Sequence, residues 1–379
     1  MVSIVPCESY DYSLVRSALI SALESIGGLD FVEAGMTVAV KVNLVSPMAP
    51  ERAATVHPAL VCALTELLRE RGAEVIIGDS PGGVFRAAYL KHVYEQCGMT
   101  KAEEFGARLN DDFSQAEIEN PDAVQAKRFT ATAWLRNADV IIDLCKLKSH
   151  GMMGMTCAVK NFFGTIPGTR KPEYHYRYPK AEDFADVLVD LYEYWKPRLC
   201  ICDAVIAMEG NGPTQGTPRP IGCLLAAQSG HELDAVAAEL IGLDIKSVPT
   251  LAAAQRRGLI GSREAISTAG SPADFAVKDF KTVPAQGSVV FLLLGDGPIG
   301  RLADKAARGI MTPRPQVTGR ECIGCGKCAS ICPARAITME GRRPRIDRNQ
   351  CIHCFCCQEF CPVGAMKAHR NIIMRVLGK

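Results

Sequence analysis

Two cysteine runs near the C-terminus constrain this chain more than any other feature. The first is Cys322, Cys325, Cys328 and Cys332 followed by Pro333, and the second is Cys351, Cys354, Cys357 and Cys361 followed by Pro362. The pattern C-x2-C-x2-C-x3-C-P thus occurs twice, at an offset of 29 residues that also superposes Ile323 on Ile352, Ala336 on Ala365 and Ile337 on Met366. That agreement makes the segment an internal repeat. Three thiolates spaced two residues apart on a tight loop can all turn toward one small inorganic cube, while the loop's amides point at its sulfides. Of 17 cysteines, nine fall between Cys322 and Cys361, a placement unlike that of a secreted disulfide scaffold.

Over about 60 residues this segment resembles the bacterial two-cluster 4Fe-4S ferredoxins. The resemblance implies two 4Fe-4S clusters with crossed ligand sets, because the fourth cysteine of each run reaches the other cube. One set is then Cys322, Cys325, Cys328 and Cys361, and the other is Cys351, Cys354, Cys357 and Cys332. Tetrahedral zinc is the competing reading of cysteine clusters. It usually uses C-x2-C pairs separated by a longer finger, whereas here three evenly spaced thiols end in C-P. Cys356 is a ninth thiol that the family pattern does not require, which leaves open whether it or Cys357 binds.

The formal net charge of +2 conceals an uneven distribution. From Met311 to Lys379 there are 12 Lys and Arg against 4 Asp and Glu, leaving 31 against 37 in the preceding residues. Each cubane with four thiolates carries about −2 when oxidised, so clusters in this tail offset its excess. The Arg-rich GRRPRIDR, expected as a hairpin turning at Gly341, is accounted for without nucleic acid. The remaining positive charge fits docking on the acidic body of the chain or on an acidic redox partner protein.

No apolar run approaches the roughly 18 residues of a membrane helix, and the N-terminus lacks the basic and apolar regions of a secretory signal. A cytoplasmic location is expected, where thiols stay reduced.

Before Met311 strands alternate with helices. Strands are expected at Thr37 to Asn43 and Ala73 to Asp79, and ending at Leu144, Val205, Gln228 and Gly295; helices are expected at Pro58 to Arg71 and over HELDAVAAELIG. Near-continuous apolar strands of this kind predict an α/β body with a largely parallel sheet covered by helices, followed by a small α+β iron-sulfur domain. The expected domains are residues 1–310, 311–372 and a tail at 373–379.

Ligands of open α/β sheets bind beyond the carboxyl ends of the strands, so the residues there are the candidates. They are Lys41 and Asn43, then Asp79, then Lys146, Lys148 and His150, and finally Asp203, Glu209 and Asn211. Several lysines with a few acids suit a small anionic substrate or cofactor. A G-x-G-x-x-G at Gly295 to Gly300 lacks the following acidic strand end and contains Pro298, which weakens a dinucleotide reading, and no phosphate loop of the G-x4-G-K-[ST] type occurs. Cys145, Cys157, Cys200 and Cys202 are expected as small core residues.

At KLKSHGMMGMTCAVKNFFGTIPG and DAVIAMEGNGPTQGTPR the body resembles a prokaryotic family known as domain of unknown function 362, over roughly residues 35 to 245. The matching positions are Lys148, His150, Lys160, Asn161, Gly164, Asp203, Glu209, Gly210, Gly212 and Pro213, with His175 and Asp234 falling where the pattern tends to place them. Members often carry a ferredoxin module. The combined expectation is an iron-sulfur protein passing single electrons to or from a small anion on the body. Lys148, His150 and Lys160 would bind or protonate the anion, and Asp203 and Glu209 would orient it or hold a metal. The alternatives are an electron carrier or maturation protein without catalysis of its own, and a non-redox enzyme with structural clusters.

Overall fold

The computed structural model describes residues 1–282, 314–318 and 321–369. The expected strand ending at Gly295, the G-x-G-x-x-G segment, the boundary at residue 310 and the C-terminal tail lie outside the described residues.

The body is built on strands β1 (Val2–Pro6), β2 (Thr37–Val42), β3 (Glu74–Gly78), β4 (Ala107–Leu109), the hairpin β5 (Gln115–Glu119) and β6 (Arg128–Thr132), β7 (Val140–His150), β8 (Gly154–Thr156), β9 (Leu199–Glu209), β10 (Thr217–Ala227) and β11 (Thr268–Ala269). The main sheet runs β11-β1-β10-β9-β7-β2-β3-β4, with β8 paired to β7. Pairing is parallel along β9, β7, β2, β3 and β4 and antiparallel where β10 meets β9 and β1, so the sheet is mostly parallel but mixed. β7 and β9 run past the expected ends at Leu144 and Val205, so that β7 carries Lys146, Lys148 and His150 within the sheet itself.

Helices cover both faces: α1 (Tyr12–Glu24), α2 (Pro58–Glu70) and α3 (Ala87–Gln96) on one side, and α4 (Ala158–Asn161), α5 (Lys171–Arg177), α6 (Ala181–Trp195), α7 (Gly230–Leu240) and α8 (Pro249–Arg256) associated with the other. Side chains alternate along each strand between the two layers. Val38, Val40, Ile142, Leu144 and Ile201 pack with α1 and α2, whereas Ala39, Cys145, Cys200, Cys202 and Ala204 face α6 and α7. Small residues on that second face let the helices lie close to the sheet.

The C-terminal module repeats its backbone as well as its sequence. Short helices Lys327–Ser330 and Cys356–Glu359 stand at the 29-residue offset, as do the residues with positive φ: Gly324 and His353, Gly326 and Phe355, Arg335 and Gly364. Cys332 Sγ accepts from Ala336 N at 3.3 Å, and Cys361 Sγ accepts from Ala365 N at 3.2 Å. The expected hairpin forms from Ile337–Glu340 and Arg343–Ile346, with Gly341 at φ 60°.

Leu64 lies wholly buried in α2 against β2 and β7 residues. Leu64→Ala is expected to lower unfolding free energy by about 2–5 kcal/mol, read as a shifted denaturant midpoint with unchanged slope.

Candidate functional site

Two buried ion pairs occupy the carboxyl edge of the sheet. Lys41 Nζ lies 2.7 Å from Asp79 Oδ1 and donates to Val42 O and to Asn161 Oδ1 at 3.2 Å. Asn161 in turn donates to Asp143 Oδ1 at 2.6 Å and to Lys41 O, and accepts from Asn43 Nδ2 at 3.1 Å. Burial pushes the Asp143 carboxyl well above its ordinary range, against the opposing hydrogen bond from Asn161 and the charge of Lys41. Gly164 closes this network: a Cβ there would sit 2.1 Å from Asp79 Oδ1 and 2.5 Å from Lys41 Nζ.

The second pair is Lys146 Nζ with Asp203 Oδ2 at 2.7 Å, joined by Tyr10, whose hydroxyl donates to Asp203 Oδ1 and accepts from Lys146, each at 2.8 Å. Asp203 also accepts from His57 N at 3.0 Å. This knot ties the turn before α1 to the sheet. Lys146 and Asp203 do not line the pocket described next. Neither does Glu209, which accepts from Lys281 N at 3.0 Å and lies 3.4 Å from Lys281 Nζ.

Between α4, α5 and the strand ends lies a cavity of about 60 Å³ lined by Asn43, Lys148, Thr156, Lys160, Lys171 and Phe163, among others. Its remaining wall comes from the C-terminal module, as Glu359 and Phe360. Lys148 Nζ is buried and donates to Asn43 Oδ1 and Ala54 O, both at 2.6 Å. Burial, with the charges of Lys160 and Lys146, depresses its pKa to about 7. Burial also lowers Lys160, and takes Lys171, whose ammonium bonds Ser80 O, to about 8.

The hydrogen bonds fix the tautomer of His150. Its Nδ1 accepts from Met152 N and Met153 N, both at 3.1 Å, so the proton resides on Nε2, 3.2 Å from Glu359 Oε1. Burial lowers its pKa to about 4, making it a neutral hydrogen-bond donor near neutrality. For Glu359, burial is outweighed by His150, Lys160 and His175, leaving its pKa at about 2. His175, stacked on Phe184 at 4.4 Å, is a second buried imidazole, lowered to about 3 chiefly by burial.

Further contacts hold the module against the body. Gln358 Nε2 donates to Asn211 O at 2.9 Å, so the expected binding residue Asn211 contributes its carbonyl to docking. Phe360 packs over Gly82 and Phe355 over Gly151, and a Cβ at Gly82 would come to 3.0 Å from the Phe360 ring. The two cysteine repeats diverge at these very positions: Gly326, Ala329, Ser330 and Ile331 correspond to Phe355, Gln358, Glu359 and Phe360. That divergence was the sequence signal for the docking face. Lys171, Glu359 and Phe360 were absent from the sequence candidates.

The cysteine module fits 4Fe-4S ligation. Cys322, Cys325, Cys328 and Cys361 line one largely apolar cavity. Cys351 and Cys357 each lie close enough to Cys332 and Cys354 for those thiols to raise their pKa values, alongside the larger effect of burial. Cys356 is buried with Cys354 and Phe360.

Residues 38–239 match the family described as domain of unknown function (DUF362), and residues 321–365 match a 4Fe-4S dicluster domain. A thylakoid-associated protein of Synechocystis is 35% identical over 265 residues, covering 68% of this chain and 79% of that protein. Among solved structures, the lactate racemase apoprotein of Thermoanaerobacterium thermosaccharolyticum aligns with a TM-score of 0.42 and 10% identity over 64% of this chain and 57% of that one. A Thermotoga maritima protein aligns with a TM-score of 0.34 and 11% identity over 57% of this chain and 55% of that one. The chain thus spans little more than half the length of either solved structure.

Lys148 links the site to stability. Because its folded pKa lies below the unfolded value, the unfolded chain retains a proton that the folded chain releases as pH rises from about 7 to 10. Over that window the wild type is expected to gain stability relative to Lys148→Met, by at most about 1.4 kcal/mol per pH unit. Paired denaturation curves at several pH values measure the difference.

Proposed function

The chain belongs to the DUF362 family and carries a C-terminal 4Fe-4S dicluster domain, and on that premise we propose that it exchanges single electrons with a small anion held in the lysine-lined pocket. One observation carries this reading: Glu359 and Phe360, which wall the pocket, lie in the segment between Cys357 and Cys361. The substrate site and the cluster-binding segment therefore share a wall. In this reading Cys322, Cys325, Cys328 and Cys361 hold one cluster, and Cys351, Cys354, Cys357 and Cys332 hold the other. Bound clusters of this type supply reversible one-electron transfer.

The body residues do the remaining work. Lys160 and Lys171 attract the anion, which must be small, since one water takes about 10–15 Å³ of the kind of volume available. His150 Nε2–H donates to Glu359 and so holds that carboxylate in the pocket wall. Lys148 Nζ, which exchanges its proton near neutral pH, delivers or removes a proton as the charge on the substrate changes. Asn43 and Asn161 orient Lys148 and Lys41, and the Lys146–Asp203 knot supports the edge from outside the pocket. Covalent attachment of the module keeps the redox centres at high effective concentration beside the substrate. An acidic partner protein supplying or accepting electrons, and a cytoplasmic setting, complete the reading.

Two measurements test it. Iron and sulfide analysis of anaerobically purified protein is expected to give about eight of each per chain; stoichiometric zinc without iron would reject the cluster assignment. Chemically reduced protein mixed anaerobically with fractionated small anionic metabolites is expected to be reoxidised by one class of them. Lys148→Met should slow that reoxidation at least about 100-fold while leaving the visible cluster absorbance unchanged. Equal rates in the variant would remove Lys148 from the site, and reoxidation by a protein partner alone would favour the carrier alternative.

A further inference from the structure

Three body cysteines meet on the opposite layer of the sheet from α1 and α2, away from the C-terminal cysteine runs. Cys145 in β7 and Cys202 in β9 are directly paired across parallel strands, which places their side chains side by side. Cys157, the residue preceding α4, approaches them from the loop after β8. Cys157 Sγ lies 3.5 Å from Cys145 Sγ and 3.3 Å from Cys202 Sγ, and all three sulfurs fall within 4.8 Å of one another. All three residues are at most 1% exposed.

We propose that Cys145, Cys157 and Cys202 form a binding site for a soft, thiophilic metal ion of low coordination number, for which cuprous ion is the best match. A metal–sulfur bond of about 2.3 Å places three trigonally arranged sulfurs about 4.0 Å apart. The observed spacing reaches that arrangement by outward movements of a few tenths of an ångström. The donor chemistry is selective. Among the described residues the group contains only thiols; the Asp234 carboxylate touches it from the side through Cys157, with its oxygens engaged by Ala158 N and Val159 N. All-sulfur donors favour cuprous or zinc ions over magnesium, calcium or manganese, and a three-donor set without a fourth ligand favours the cuprous ion.

The surroundings hold the three sulfurs in place. Asp234 accepts from Ala158 N at 2.7 Å and Val159 N at 3.1 Å, which clamps the backbone immediately after Cys157. Cys145 Sγ is further held by Ile201 O at 3.4 Å. A small-residue layer needs only alanine-sized groups here, as Ala39 and Ala204 show on the same face. Three sulfurs in mutual contact supply donors that this packing does not require.

The test uses full-length, cluster-loaded protein kept anaerobic and titrated with cuprous ion against a colorimetric cuprous chelator. Visible cluster absorbance is followed to show that iron stays in place. The expected result is one chelator-resistant copper per chain, with affinity reduced at least about 100-fold in Cys145→Ser, Cys157→Ser and Cys202→Ser. Cys223→Ser, a buried thiol on β10 outside the group, should retain it. Failure to retain copper, or retention unchanged in the three variants, would overturn the proposal. If a serine variant fails to fold, X-ray absorption of the copper-loaded wild type decides: a shell of three sulfurs supports the site, and a nitrogen or oxygen shell rejects it. A mass two hydrogens below the reduced chain, mapped to these cysteines in protein that binds no copper, would also overturn it in favour of a disulfide.

Discussion

Burying positive charge is the constraint around which the carboxyl edge of this sheet is organised. Lys41, Lys146, Lys148, Lys160 and Lys171 all lie buried or partly buried at or near that edge. An ammonium removed from water must find a carboxylate, satisfy itself with neutral acceptors or lose its proton. Lys41 and Lys146 take carboxylates, from Asp79 and Asp203. Lys148 has amide and carbonyl acceptors only, and its proton affinity falls accordingly. The other two lysines face a cavity whose carboxylates are Asp79, already paired with Lys41, and Glu359 from the C-terminal module.

That arrangement binds the two domains physically. Glu359 is compensated by His150 and Lys160 of the body, and Phe355, Gln358 and Phe360 extend the contact around it. The first cysteine repeat has small residues at three of the four equivalent positions and isoleucine at the fourth, so it offers no such contact. Phe355 even adopts φ 61°, where the first repeat uses Gly326, at a cost of about 1–2 kcal/mol. A bulky residue held in a left-handed conformation there is explained by its packing over Gly151. The module is thus oriented with its second repeat toward the lysine pocket.

Much of this was legible in the sequence, for local reasons. Doubled cysteine spacing specifies the C-terminal module, and apolar strands with polar ends specify the sheet edge. Lys41, Asn43, Asp79, Lys148, His150, Lys160 and Asn161 do converge at the pocket or on the network beneath it. What pattern reading could not supply was pairing across long separations. Asp203 and Lys146 share the strand-end signature of the pocket residues, yet Tyr10, 193 and 136 positions away from them, draws them into a separate knot. Glu209 likewise turns to Lys281. β7 outruns its expected end because β8 and the extension of β9 satisfy its backbone, which lets polar alternation persist inside the sheet. Lys171 sits on a short helix with no strand-end signal, and Glu359 resembles any surface acid of a ferredoxin module until the module is docked.

The most direct test of the central claim, that a small anion binds beside a redox centre, is the electron paramagnetic resonance spectrum of the reduced full-length protein with and without small anions. Formate, acetate, inorganic phosphate and a wider set of small carboxylates serve as probes. The account predicts that at least one of them perturbs the signal of the cluster nearest Glu359, and that Lys160→Met abolishes the perturbation without altering iron content. Spectra indifferent to every anion, or a perturbation that survives in Lys160→Met, would contradict it.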